Sequence, residues 1–405
     1  MPVRTSTQAL TRPARFLHLL NEHMTFDTTP LVQGICDWMR CESPSSDAAA
    51  VTRMAELIRD AAQAAGLRTT LTPIRAERPG RPSGPELPLL HISNRAKGDA
   101  RPGLLVLGHC DTVHPIGMLQ ENPVRIEGDR LYGPGGYDMK AGVYMAVSAL
   151  GAAARPGSTA LPVDLLIVPD EETGSHASRM HIEAFARNAR YCLVAEPARA
   201  HGGRCVTARK GTGMLHLCVQ GRASHAGVAH AQGRSAIREM AHQILALEAM
   251  TDYERGISVN VGTITGGSAT NTVPAQCRCT VDLRLPDTAA IDELLPKLRA
   301  LRPMGEDMTL QIDIEINRPP MVKTEHTQRL LERAQASARA VGLTLEEAPP
   351  TGGGSDANFT AAQGVPSLDG LGADGDGAHT RQEHILISTL ALRTRFWHHL
   401  LTHLN

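Results

Sequence analysis

The hydrophobic positions follow two different rhythms along the chain. In the first half, short unbroken apolar runs alternate with longer segments of helical spacing. The runs are Leu89–Ile92, Leu104–Leu107, Val163–Val168 and Tyr191–Val194. Runs of this length without polar alternation predict strands buried on both faces, as in a mostly parallel sheet. Helices are expected at 48–65, capped by Asp47 and ended by Gly66, and at Tyr144–Ala154. From about residue 206 the order changes. Strand Met214–Gln220, helix Ser235–Met250, strands Ser258–Ile264 and Cys277–Leu285, helix Ala289–Leu301 and strand Thr309–Ile316 follow one another. That βαββαβ order is the split-βαβ pattern of a ferredoxin-like α+β domain. The alternation Gln311-Ile312-Asp313-Ile314-Glu315-Ile316 predicts a sheet with one wet face. Arg318-Pro319-Pro320 is a breaker, followed by a helix at His326–Val341, a Gly-rich loop at Thr351–Gly354 and a last helix at Leu386–Leu401.

The fold expected is therefore α/β. A catalytic domain with a mostly parallel sheet covers 24–205 and 318–405, and an inserted ferredoxin-like α+β domain covers 206–317. Residues 1–23 read as an N-terminal extension ahead of Met24. Arg12 and Arg15 interrupt the partly apolar stretch Leu10–Leu20, which argues against a signal peptide.

Composition narrows the function classes. The chain has 405 residues, 42% hydrophobic and 20% charged, with a net charge of −1. Such a balance points to no nucleic-acid partner and no membrane surface, and no apolar run has the length of a membrane span. The eight cysteines are scattered with no C-x-x-C pair, as expected of buried thiols in a cytoplasmic, reducing compartment.

Five short clusters carry candidate chemistry. Leu104–Leu107 leads into Gly108-His109-Cys110-Asp111-Thr112, which places His109 at the carboxyl end of a buried strand, with Asp111 two residues on to fix the ring tautomer. Gly133-Pro134-Gly135-Gly136-Tyr137-Asp138 is a tight turn presenting Asp138. Val163–Val168 leads into Asp170-Glu171-Glu172, three adjacent acids whose mutual repulsion a dication would relieve. Tyr191–Val194 leads to Glu196, and Gly377-Ala378-His379-Thr380 comes late in the chain. Taken singly, each has an ordinary reading as a loop histidine, a helix cap, a solvated acidic turn or a surface glutamate. Taken together, two histidines and three carboxylates suit a borderline dication, zinc before others. With a shared carboxylate they suit two ions about 3.5–4 Å apart.

With these motifs the chain resembles the family of acetylornithine deacetylase, succinyl-diaminopimelate desuccinylase, aminoacylase and bacterial glutamate carboxypeptidase. The likeness runs from about Leu31 to the C-terminus, through G-H-x-D-T-V, G-P-G-x-x-D-x-K, D-E-E-x-G-S, A-E-P and a late Gly-x-His, with Ala223-Ser224-His225-Ala226-Gly227 in the inserted domain. Glu196 and Thr351-Gly352-Gly353-Gly354-Ser355-Asp356-Ala357 match the glutamate carboxypeptidase branch. The resemblance implies two divalent ions per chain, zinc or alternatively manganese or cobalt. It implies His109 and Glu196 as ligands of one ion, Glu172 and His379 of the other, and Asp138 bridging. Glu171 would be the general base and Asp111 the support of His109. His225 would be the lid-domain histidine that serves a neighbouring subunit's site in a homodimer. Asn271, Arg284, Gly353 and Gly354 would bind a small substrate bearing a free carboxylate. The basic Ala208-Arg209-Lys210-Gly211 and the stretch Gly370–Gly377 have no assignment in that scheme.

The function so implied is carboxypeptidase-type cleavage of an amide bond next to a free carboxylate. One alternative is an amidohydrolase or deacylase acting on an N-acyl amino acid or another non-peptide amide. A more remote one is a non-catalytic metal-binding scaffold, against which the presence of Glu171 argues.

Overall fold

The computed structural model describes residues 26–77, 83–155 and 157–405, so the expected extension at 1–23 lies outside the described residues. The chain divides into two compact units. One runs up to Thr207 and includes Lys323–Pro349 and Phe359–Asn405; the other holds Ala208–Val322 and Pro350–Asn358.

The first unit is built on a six-stranded sheet. Its strands are β1 (Arg68–Ile74), β2 (Leu87–Ser93), β3 (Gly103–His109), β4 (Val163–Val168), β5 (Ala189–Val194) and the two-residue Ser367–Leu368, in the order β1-β2-β4-β3-β5-Ser367. The β3–β4, β3–β5 and β5–Ser367 pairings are parallel, and those of β1 with β2 and β2 with β4 are antiparallel. All seven residues of β3 are buried, which is why its sequence is apolar without alternation. β1 escapes the apolar pattern because it is an edge strand: half its residues face water, and it tolerates Pro73. Helix Ala48–Ala64 starts where expected, with the Asp47 carboxylate accepting from Ala50 N. Ala141–Gly151 is buried on every side, so that helix shows no amphipathic face in its sequence. Leu31, Met54, Val147, Phe396 and Trp397 join one core around it.

A small antiparallel sheet had no signal in the sequence. It takes Arg125–Glu127, Arg130–Tyr132, His384–Leu386 and Gly375–Asp376, strands of two or three residues that are too short for a period to register. Its pairing of His384 with Tyr132 brings the late His379 loop beside the Asp138 turn.

The second unit has strands β6 (Gly211–Gln220), β7 (Ser258–Gly266), β8 (Gln276–Leu285) and β9 (Thr309–Arg318), all antiparallel in the order β7-β8-β6-β9. With helices Ala236–Glu248 and Thr288–Arg299, this gives the βαββαβ order of a ferredoxin-like domain. Residues 350–358 belong to this unit, whereas the sequence pattern predicts them in the first. The reason is a backbone ladder: Arg209 exchanges hydrogen bonds with Met321, and Lys210 N donates to Thr351 O at 2.9 Å.

Candidate metal centre

β3 is parallel to both β4 and β5, so the three strands end at one edge of the sheet. His109 is the last residue of β3, Glu171 and Glu172 form a turn just after β4, and Glu196 follows β5. The His109 ring is buried. Its Nδ1 donates to the backbone carbonyl of Asp111 at 2.9 Å, which directs Nε2 toward Asp138 Oδ1 at 3.2 Å and Glu196 Oε1 at 3.8 Å. Asp111 faces the same Nδ1 twice, through its main-chain carbonyl at 2.9 Å and through its carboxylate Oδ1 at 3.5 Å. The carboxylate also accepts from Ser45 Oγ at 2.6 Å and from the backbone N–H groups of Glu171 and Glu172, both at 3.2 Å. Asp111 thus orders the acidic turn as well as the histidine.

Asp138 lies at the centre of the group. One of its oxygens faces His109 and the other faces His379 Nε2 at 3.3 Å. His379 Nε2 is also 3.2 Å from Glu172 Oε2. His379 itself holds φ +64°, a left-handed conformation rare outside glycine and common where function dictates geometry. Ligand atoms of His109, Asp138 and Glu172 lie within 4.8 Å of one another, and so do those of His109, Glu171 and Glu196. The third acid of the turn is absent from this group. Asp170 turns away to accept from Ala177 N and Ser178 Oγ, and burial raises its pKa to about 6. Lys140 of the same motif also points elsewhere, donating to the Cys41 carbonyl at 2.6 Å.

Crowding acids around two imidazoles has the electrostatic consequences that a cation would reverse. Burial pushes Glu172 up to about 7, and nearby Asp138 adds to the shift. Burial, Asp138 and Glu171 hold Glu196 well above the usual carboxylate range. Hydrogen bonds to Asp138 and Glu172 raise His379 to about 10. For His109 burial works downward, but its contacts with Asp111 and Asp138 outweigh it and the net shift is upward. Asp138 is the reverse case: burial works upward, and the two histidines hold it low. Metal-free, the group is thus a cage that retains protons. Glu172 Oε1 is in addition buried with no hydrogen-bond partner. An orphaned buried carboxylate oxygen beside nitrogen and oxygen donors fits a divalent ion.

Two glycines make the close packing here possible. A Cβ on Gly142 would fall 2.0 Å from the Ala195 carbonyl oxygen, and one on Gly372 2.3 Å from the same atom. The unassigned 370–377 stretch therefore has a place: it runs beside the Glu196 segment, with Gly372 N donating to Glu196 O at 2.8 Å.

In the second unit, His225 sits on a two-residue strand paired with Thr272–Val273. Its Nδ1 accepts from Gly227 N and Val228 N, which leaves Nε2 to carry the proton on an exposed ring. Asn271 accepts from Ala226 N through its main chain. Arg284 Nη1 reaches Gly352 O at 3.3 Å, and Arg209 Nη1 reaches Gly353 O at 3.0 Å. Arg318 Nη2 pairs with Asp356 at 3.0 Å, and its Cδ is the nearest neighbour of a Cβ built on Gly354.

The sequence profile of Peptidase family M20/M25/M40 matches residues 105–403. The chain belongs to this family. As an M20/M25/M40 member it is a metal-dependent hydrolase of peptidase or deacylase type. It is 30% identical over 307 residues to carboxypeptidase G2 of Pseudomonas sp. (strain RS-16), covering 75% of this chain and 74% of that one. It is 30% identical over 317 residues to succinyl-diaminopimelate desuccinylase of Acidiphilium cryptum (strain JF-5), covering 73% and 81%. Its fold matches that of the M20 family metallo-carboxypeptidase Sso-CP2 from Sulfolobus solfataricus with a TM-score of 0.73 at 18% identity, over 92% and 98% of the two chains.

Four residues of this family member receive no site role from the sequence pattern. Arg209 and Arg318 border the Gly-rich loop, and the unassigned basic pair 209–210 was the visible hint. Glu383 and His114 lie behind the Asp138 turn, where Glu383 accepts from three backbone N–H groups. Their one trace in the sequence is a glutamate four residues after His379. Among the described residues no helix is long and apolar enough to cross a membrane.

Proposed function

We propose that this family member is a two-metal carboxypeptidase, similar to glutamate carboxypeptidase, that cleaves an amide bond next to a free carboxylate. In this reading His109 and Glu196 hold one ion, Glu172 and His379 hold the other, and Asp138 is shared between them. Zinc suits the donors, with manganese or cobalt as alternatives. When bound, the ions would polarise the amide carbonyl and acidify a water molecule. Glu171 takes the proton from the attacking water and returns it to the departing nitrogen. Its backbone N–H is fixed on Asp111, which leaves its side chain on the His109–Glu196 side of the cage. His225, protonated at Nε2, is a donor suited to the charge developing on the carbonyl oxygen, in a neighbouring subunit's site if the chain is a homodimer. The edge strand β7, exposed over most of its length and bearing Ile264, supports such a dimer. Eight free thiols fit a cytoplasmic setting.

The observation that carries the carboxylate preference is the grouping of Arg209, Arg284 and Arg318 around the loop of Gly352, Gly353 and Gly354. Guanidinium forks match carboxylates bidentately, which suits Arg284 to the substrate's free carboxylate, and the family resemblance adds Asn271, Gly353 and Gly354 to the same role. The desuccinylase relative keeps a deacylase reading in play, since the same cage would serve an N-acyl amino acid. A screen of acyl-glutamates, dipeptides, folate-like amides and N-succinyl amines with zinc-loaded protein separates the two. The carboxypeptidase reading predicts that free glutamate or a related amino acid is released fastest. Faster cleavage of N-succinyl or N-acetyl amines establishes the deacylase reading instead.

A further inference from the structure

Glu383 lies in the same loop as His379 and is completely buried. Its carboxylate receives four donors. Oε1 accepts from Tyr137 N at 2.9 Å and Asp138 N at 3.0 Å; Oε2 accepts from Gly135 N at 3.0 Å and His114 Nε2 at 2.6 Å. The Glu383 carbonyl accepts from Gly133 N at 3.3 Å as well. The Gly133–Asp138 turn is thus gripped along its length by one residue. A buried carboxylate is costly unless such donors surround it, and here every donor but one belongs to the turn that presents Asp138. The fourth donor, His114, is five residues past His109.

We infer that Glu383 is the positioning residue of the metal cage. It sets the Asp138 backbone so that the two side-chain oxygens face His109 and His379 before any ion is present. Three motif loops, 109–114, 133–138 and 379–383, are pinned through one carboxylate. Asp138 is the residue shared between the two proposed sites, so a shift of its backbone is felt by both. A ligand to one ion, such as Glu172, would affect that ion alone. The inference rests on the two-metal reading above and adds the residue that fixes the spacing.

The test is Glu383→Gln. The amide keeps one acceptor oxygen and sets an NH2 against the backbone N–H groups on its other side, either Tyr137 and Asp138 or Gly135, so part of the grip on the turn is lost while size is preserved. Partners that orient metal ligands typically contribute ~10–100-fold to metal affinity or activity. The expected result is a parallel fall of ~10-fold or more in zinc affinity at both sites, read by chelator competition. At saturating zinc, two equivalents still bind, yet kcat on the best-cleaved acyl-amino acid stays ~10–100-fold down with KM within ~3-fold of the parent. His114→Phe, which removes one donor and leaves the carboxylate, is expected to lose at least ~3-fold in kcat with KM unchanged; it decides the matter if Glu383→Gln does not fold. The inference is overturned by a kcat within ~2-fold of the parent at saturating zinc, or by a loss confined to KM. A fall in affinity at one site alone overturns it too, as does a lowered melting temperature with parental zinc affinity and turnover. A parent chain that takes up no zinc overturns the two-metal reading and the inference together; a zinc-loaded parent with an unaltered variant overturns the inference alone.

Discussion

Glu172→Gln is expected to stabilise the metal-free protein while it weakens the metal-bound one. The side chain is 6% exposed, and burial moves its carboxyl from 4.5 to about 7. At ~1.36 kcal/mol per pH unit this is roughly 3 kcal/mol. The sign follows from linkage. A carboxyl whose folded-state pKa is raised favours the fold when protonated, below its unfolded value of 4.5, and loses that contribution as pH rises through about 7. At pH 8 the ionised group therefore weighs against the metal-free fold, and a neutral glutamine of the same shape does not. Part of the gain is returned at His379, which loses its 3.2 Å partner but is 51% exposed and keeps Asp138. The net expectation is on the order of 1–2 kcal/mol, a rise in the melting temperature of up to ~4 °C. Zinc acts in the opposite sense, since a ligand at 100 times its Kd adds ~2.7 kcal/mol to the form that binds it. Differential scanning calorimetry of parent and variant at pH 8, with chelator and with zinc, gives all four values. The variant should melt at or above the parent in chelator and below it in zinc. A metal-free variant melting well below the metal-free parent would show Glu172 to be a structural residue and refute the reasoning.

Glu171→Gln should keep two zinc ions and the parental melting temperature but lose ~10²–10⁴-fold in turnover, because an amide cannot accept the proton of water. Recovery of its activity with excess zinc would make Glu171 a ligand, a role its nearness to His109 and Glu196 also allows. Gly142→Ala drives a Cβ against the Ala195 carbonyl 2.0 Å away, next to Glu196. It should lower stability by ~1–3 kcal/mol or more and weaken zinc binding; parental melting and affinity would contradict this. Zinc uptake should release protons, because Glu172 titrates near 7 and His379 near 10 in the metal-free protein and each must be deprotonated to bind. Apparent affinity should therefore rise with pH through neutrality, as calorimetric titration in buffers of different ionisation heat will show; an affinity that does not change between about pH 6 and 8 would contradict the assignment.

The sequence carried the parts of this fold that obey a period or end a strand. β3 and β4 read directly because strands buried on both faces must be apolar; His109, Glu171 and Glu172 stood out as polar residues at their ends, and Glu196 just past β5. β1 did not read, because an edge strand needs no apolar face. The strands at 125–132 and 375–386 were too short to show a pattern, yet they bring His379 to Asp138. Glu383 was invisible for a different reason: three of the four donors to its carboxylate are backbone N–H groups, which leave no residue type to recognise. The same holds for the main-chain carbonyl of Asp111, which joins the carboxylate of that residue at His109 Nδ1.

The central claim is that two ions held by His109, Asp138, Glu172, Glu196 and His379 are required for amide hydrolysis. Stepwise addition of zinc to thoroughly metal-free protein, with turnover followed at each step, tests it most directly. The account predicts negligible turnover without metal, a rise that saturates at two equivalents per chain, and reversal by chelator. Full turnover in the metal-free protein, or saturation of activity in a form that binds no zinc, would contradict it.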